Sequence, residues 1–150
     1  MKILFIGDII GEPGRKAISL SFNNIVDRYK VDIVVANVEN YAGGFGITPK
    51  VAEELFNIGI NVMTSGNHIW DKKEAIGYIS SEKRLLRPAN YPEGVPGYGS
   101  GIFETLYGDK IGIINLSGRV FMGTFDCPFR IAKREIERLS NETKAILSIN

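Results

Sequence analysis

Three short apolar runs constrain this chain more than any other feature: Ile3 to Ile6, Asp32 to Val38 and Gly59 to Thr64, each followed within three residues by Gly, Asp or Asn. Runs of this length read as strands, and hydrophobicity that is continuous instead of alternating says that both faces of the sheet are covered. Between them lie segments of helical length, Pro13 to Tyr29 and Thr48 to Asn57, with Pro13 and Pro49 near their starts, where a proline costs least. Strand, helix, strand, helix, strand is the pattern of a parallel sheet with helices packed against it. At 150 residues, 44% of them hydrophobic, the chain is long enough to bury a sizeable core, and a single domain is expected.

The second part of the chain reads differently. A helix is expected from about Asp71 to Ser80, then a loop dense in Pro and Gly from Arg87 to Gly97. Gly101 to Tyr107 and Lys110 to Leu116, joined at Gly108-Asp109, suggest an antiparallel hairpin and so a mixed sheet. Phe129, Ile131, Ile136 and Leu139 among charges predict an amphipathic helix over Pro128 to Leu139, and Lys144 to Ile149 a last strand.

Composition narrows the function classes. Eighteen Lys and Arg against seventeen Asp and Glu leave no global field that would draw the chain to nucleic acid or an anionic membrane, so an anionic substrate must be held locally. Cys127 is the single cysteine, which rules out an intrachain disulfide and suits a reducing, cytoplasmic setting; it reads as a structural or incidental thiol. No apolar run approaches the roughly 20 residues of a membrane span, and the four apolar residues after Met1-Lys2 are too few for a signal-peptide core.

The polar residues at the strand ends carry the chemistry. The first run ends in Gly7-Asp8, the second in Val38-Glu39-Asn40 and the third in Gly66-Asn67-His68. In a parallel sheet these ends share one edge, so carboxylates, amides and an imidazole converge. That set suits divalent cations such as Mn, Fe or Zn, and a carboxylate from one strand can bridge a metal pair at the roughly 4 Å spacing of two-metal phosphoryl-transfer sites. Plainer roles stand beside this one: Asp8 as a helix cap, Glu39 and Asn40 as turn residues, Asn67 and His68 as loop polarity.

GDIIGEPGR (Gly7 to Arg15), NVENYAGGFGIT (Asn37 to Thr48), SGNHIWDKKE (Ser65 to Glu74) and LLRPANYPEGVPG (Leu85 to Gly97) together resemble the calcineurin-like metallophosphoesterases, specifically the small bacterial YmdB-type branch. The resemblance implies an α/β sandwich of mixed, largely parallel sheets flanked by helices, with a dinuclear centre of Fe, Mn or Zn that hydrolyses phosphodiesters. Its substrates would be small phosphodiesters, above all 2′,3′-cyclic nucleotides, with RNA as a further class. It also implies that Asp8 and Asn40 bind the first metal, Glu39 bridges both, Asn67 binds the second, and His68 is the general acid. Two departures from the wider superfamily, Asp8-Ile9-Ile10 after the first strand and Glu39-Asn40 after the second, fit this branch. The resemblance further implies histidine ligands from a second half, yet His68 is the one histidine here. The expectation is a domain truncated at its C-terminus, binding metal weakly, with little activity, and self-associating through an uncovered sheet edge.

Two rival readings remain. Gly7, Gly11 and Gly14 could form a phosphate loop of a nucleotide-binding fold, although their spacing is G-x-x-x-G-x-x-G and no Lys-Ser/Thr follows. The second rival is a non-catalytic interaction or regulatory module on the same fold. Arg15, Arg87, Asn90 and Arg119 lie near loops and are candidates for phosphate or ribose contact, though surface charge or turn structure is the commoner role. Tyr41, Phe45 and Phe121 are candidates for stacking a base, with closure over the core edge as the alternative.

Overall fold

The structure, a computed structural model, describes residues 1–149. The order of elements is β1 (Ile3–Ile6), α1 (Gly11–Tyr29), β2 (Ile33–Asn37), α2 (Pro49–Ile58), β3 (Val62–Thr64), a 3₁₀ turn (Asn67–Trp70), α3 (Lys73–Ser81), β4 (Leu85–Leu86), β5 (Ser100–Glu104), β6 (Lys110–Asn115), α4 (Pro128–Leu139) and β7 (Ile146–Ile149). The strands form two sheets, as the implied sandwich requires, and the mixed sheet expected from the hairpin is the second of them. The first, β1-β2-β3-β4, is parallel throughout; in the second, β5 pairs antiparallel with β6 and β7 joins β6 in parallel.

Local chemistry accounts for the boundaries. Thr48 caps α2, its hydroxyl accepting from the Val51 N–H at 3.3 Å, and Pro49 follows in the first turn. The same helix stops at Gly59, whose left-handed φ of 116° suits a residue without Cβ. That cap takes the start of the run expected as the third strand, so β3 begins at Val62. The Gly108-Asp109 joint belongs to a longer turn in which Thr105 Oγ1 accepts from the Tyr107 and Asp109 N–H groups.

Alternation along β2 explains its unbroken hydrophobicity. Val34 and Ala36 face the helical layer with Ile18, Phe22, Leu55 and Met63, while Ile33 and Val35 face the second sheet with Ile111, Ile113 and Ile149. A third cluster, Ile114, Leu116, Ile131 and Leu139, seats α4 on the outer face of the second sheet. Each such side chain contributes about 1.5–3 kcal/mol on burial. Ile3 and Phe5, in register beside Ile33 and Val35, remain 40% and 43% exposed, because the first sheet has four strands and the second three.

One side chain ties the layers together near the site. Asn115, at the end of β6, donates from Nδ2 to the Ser65 carbonyl at 2.6 Å and to the Leu86 carbonyl at 3.0 Å. Among the described residues no helix is long and apolar enough to cross a membrane.

Candidate active site at the carboxyl ends of the parallel strands

Register places the three strand ends side by side: Ile6 pairs with Ala36, and Asn37 with Thr64. The segments that follow emerge at one edge, where Asp8, Glu39 and Asn67 line a cavity of about 400 Å³ with Asn37, Asn115 and Met122. Asn40 lies beside it, its Nδ2 donating to Asp8 Oδ1 at 2.8 Å. Asp8 does not cap α1: the cap position is Ile10, with no side-chain hydrogen bond.

Glu39 is the most constrained of these groups. Its own N–H donates to Asn37 Oδ1 at 3.2 Å, Asn37 Nδ2 approaches Oε1 at 3.5 Å, and the His68 N–H donates to Oε2 at 3.3 Å. The carboxylate lies so close over Gly66 that a Cβ there would overlap it, coming within 2.6 Å of Oε1. Gly66 is therefore a cradle for Glu39, a role beyond turn formation.

His68 stands in the 3₁₀ turn, not in the open loop that the strand-end pattern suggests. Its Nδ1 meets Asp71 Oδ2 at 2.8 Å, and Phe45 packs on the ring with centroids 5.2 Å apart. Both partners of the ion pair are about one-third exposed or more, at 34% and 41%, so it orients the ring more than it stabilises the fold. Asp71 and Asn37 are absent from the candidates read off the sequence. The signal for Asp71 was its spacing, three residues after His68, which a 3₁₀ turn eclipses.

The other candidates separate cleanly. Arg15 donates to the Tyr41 carbonyl at 2.8 Å and lies over its ring, and Arg87 donates to the carbonyls of Pro88, Val95 and Pro96, so both hold loops. Asn90 is fully buried; its Nδ2 donates to the Ser117 and Asp126 carbonyls and its Oδ1 accepts from the Ser117 N–H. Arg119 is exposed. Tyr41 is buried in the helical core, which removes it as a stacking surface, and burial pushes its phenol up. Phe45 and Phe121 are exposed.

The donor set tests what the cleft can hold. Two carboxylates and two amide oxygens are hard ligands that suit divalent cations. Among the described residues no three of His, Cys, Asp and Glu come together as a metal-holding group, so any cation here relies on the amides of Asn40 and Asn67 beside Asp8 and Glu39. The phosphate-loop rival loses ground: Gly7 to Gly14 lead into α1, but the Asp8 carboxylate lies at that edge, and its negative charge repels phosphate unless cations intervene.

Comparison with known proteins agrees with this geometry. Residues 4–149 match the family model described as YmdB-like protein. Over 146 residues the chain is 40% identical to the 2′,3′-cyclic-nucleotide 2′-phosphodiesterase of Bacillus subtilis (strain 168), covering 97% of this chain and 55% of that protein. Among solved structures, a hypothetical protein from Thermus thermophilus superposes with a TM-score of 0.83 at 40% identity, over 99% of this chain and 56% of the other. A novel phosphatase from Mycoplasma pneumoniae gives a TM-score of 0.87 at 31% identity, over 99% and 54%. The chain thus spans about half the length of these relatives. A family model matched from the first strand to the last, on a fold whose strand ends gather these residues, shows that the chain belongs to the YmdB-like protein family.

Proposed function

We propose that the cleft serves cation-dependent hydrolysis of phosphodiesters, with 2′,3′-cyclic nucleotides as the substrate class. The observation that carries this reading is the convergence of Asp8, Glu39 and Asn67, from three separate strand ends, on one cavity. The substrate class rests on the activity for which the Bacillus subtilis relative is named. Asp8 and Asn40 would hold one divalent cation, Asn67 a second, and Glu39 would be shared between them. Such cations, when bound, supply neutralisation of the phosphoryl oxygens and activation of water.

The chain's own residues do the rest. Asn37 and the His68 N–H fix the Glu39 carboxylate, and Asp8 orients the Asn40 amide so that its oxygen faces away from the carboxylate. As the bond from phosphorus to the departing ribose oxygen breaks, that oxygen needs a proton. His68 donates it from Nε2, while Asp71 on Nδ1 holds the ring in place.

All four cation ligands proposed here are oxygens, a set that favours Mn over Zn or Fe and holds transition metals less firmly than one containing imidazole. This chain by itself therefore binds metal weakly and turns over little. The test measures metal content and hydrolysis of 2′,3′-cyclic AMP, with and without Mn, for this chain and for the chain continued with the remainder of the Bacillus subtilis relative. The continued protein should retain metal, hydrolyse the substrate, and lose activity on Asp8→Ala or Glu39→Ala. A continued protein that is folded and inactive with Asp8, Glu39 and Asn67 intact overturns the reading.

A further inference from the structure

We infer that the loop after β6 and the turn after β4 form a nucleobase-stacking subsite next to the cleft, with Phe121 as its exposed platform and Tyr91 and Phe125 as its fixed wall. This assignment rests on the phosphodiesterase reading for the position of the phosphate, and adds how the base is held.

The first observation is continuity. A second cavity of about 330 Å³, lined by Tyr91, Phe121, Phe125 and Thr124, shares Asn67 and Met122 with the cleft that holds Asp8 and Glu39. A ligand with its phosphate against Asn67 therefore has an aromatic-lined space beside it, at the small end of the size range of ligand sites. The second is rigidity. Tyr91 packs on Phe125 with centroids 4.6 Å apart and edge-on to Trp70 at 5.6 Å, which links this wall to the 3₁₀ turn carrying His68. Buried Asn90 pins the loop at both ends, through Ser117 and Asp126.

The third observation concerns Phe121. It follows Val120 in a turn closed by the Met122 N–H on the Arg119 carbonyl at 3.2 Å, with φ of 59°. Gly or Asn ordinarily takes such a position, and a bulky residue there is strained. The ring gains no burial in return, since it is fully exposed at 104%. An anchored loop that holds a strained, uncovered phenyl ring beside an aromatic cavity is built to place that ring against a ligand. A flat π-face suits a nucleobase whatever its edge groups, so stacking should dominate over base identity.

The experiment titrates the chain, in excess Mn, into the fluorescent nucleotide 2-aminopurine riboside 3′-monophosphate, with ribose 5-phosphate as the base-free competitor. Quenching is expected, and the base-bearing ligand should bind roughly ten-fold or more tightly than ribose 5-phosphate. Phe121→Ala should remove most of that preference and Phe121→Trp should keep it, and the full exposure of this side chain leaves the fold of either variant intact. Equal affinity for the two ligands, absence of quenching, or a preference unchanged by Phe121→Ala each overturns the assignment. A base preference that persists when Asp8→Ala and Glu39→Ala fail to affect hydrolysis by the continued protein would retain the subsite and discard the phosphodiesterase reading.

Discussion

Replacing Gly66 by alanine should disarm the cleft while sparing the fold. The backbone at Gly66 has φ −122° and ψ −138°, and a Cβ built there lies 2.6 Å from Glu39 Oε1 and 2.8 Å from Cδ, where ordinary contact begins near 3.4 Å. Oε2 is nearer still, so the carboxylate must retreat by about 1 Å, and it can, because it is the end of a flexible side chain and not backbone. Retreat lengthens the bond from the His68 N–H to Oε2, already 3.3 Å, a loss of about 1 kcal/mol. For a chain of this length that lowers Tm by about 2–4 °C. A displacement approaching 1 Å in a positioned catalytic group is worth roughly 10²-fold in rate. Calorimetric titration with Mn, beside thermal unfolding followed by circular dichroism, separates the two effects: Gly66→Ala should weaken Mn binding at least about ten-fold, or 1.4 kcal/mol, with Tm down by only that small amount. Gly77→Ala is the control, since a Cβ at Gly77 meets nothing within 4 Å and the residue lies inside α3, so it should stabilise by about 0.5–1 kcal/mol. Unchanged Mn affinity in Gly66→Ala would refute the cradle. A collapse of Tm by tens of degrees would show that Gly66 serves the fold instead.

Asp71→Asn should cut turnover of the continued protein by ten-fold or more with metal content unchanged, because Asp71 touches the His68 ring and none of the proposed cation ligands; equal losses of metal and rate would assign Asp71 to the metal site. Asn90→Ala removes three buried hydrogen bonds and should cost about 3 kcal/mol or more, read as a shift in urea midpoint. Glu135 gives a pH signature. Burial raises its carboxyl, but the Ser100 hydroxyl and the Arg138 and Arg134 guanidiniums outweigh that and hold it below the usual carboxylate range. A carboxyl depressed in the folded state stabilises above its unfolded value, near 4.3, and that contribution fades as pH falls through the lower folded value. Glu135→Gln should therefore destabilise by about 1 kcal/mol at pH 7, a figure kept low by the exposure of both arginines, and the difference should vanish in acid below the folded value.

What could be read from the sequence was whatever is encoded within a few residues. The helix over Pro128 to Leu139 emerges with the expected bounds because its apolar spacing and its proline are local, and Asp8, Glu39 and Asn67 reach one cavity because parallel register follows from strand order. The division into sheets came from the family resemblance and not from local pattern, since β7 choosing β6 over β1 is a long-range pairing that no local pattern states. Nor was β4 legible, two residues made a strand only by β3 beside them. Arg15, Arg87 and Asn90 look like ligand-binding polarity in a sequence, and only their burial and carbonyl partners reveal them as loop anchors. Asp71 was hidden by the expectation that a helix begins there, when a separate 3₁₀ turn precedes α3.

The bonds from Asn115 to the carbonyls of Ser65 and Leu86 have a consequence for how freely the chain can vary in evolution. They fasten the backbone just before Gly66 and Asn67 to the second sheet, so the position of the cleft is a direct function of the spacing between layers, about 10 Å in stacked sheets. A change of volume among Ile33, Val35, Val62, Ile111 and Ile113 alters that spacing and is passed through Asn115 to the backbone before Gly66 and Asn67. The interior between the sheets is thus a gauge as well as a core: its thickness sets where the third strand end delivers its residues.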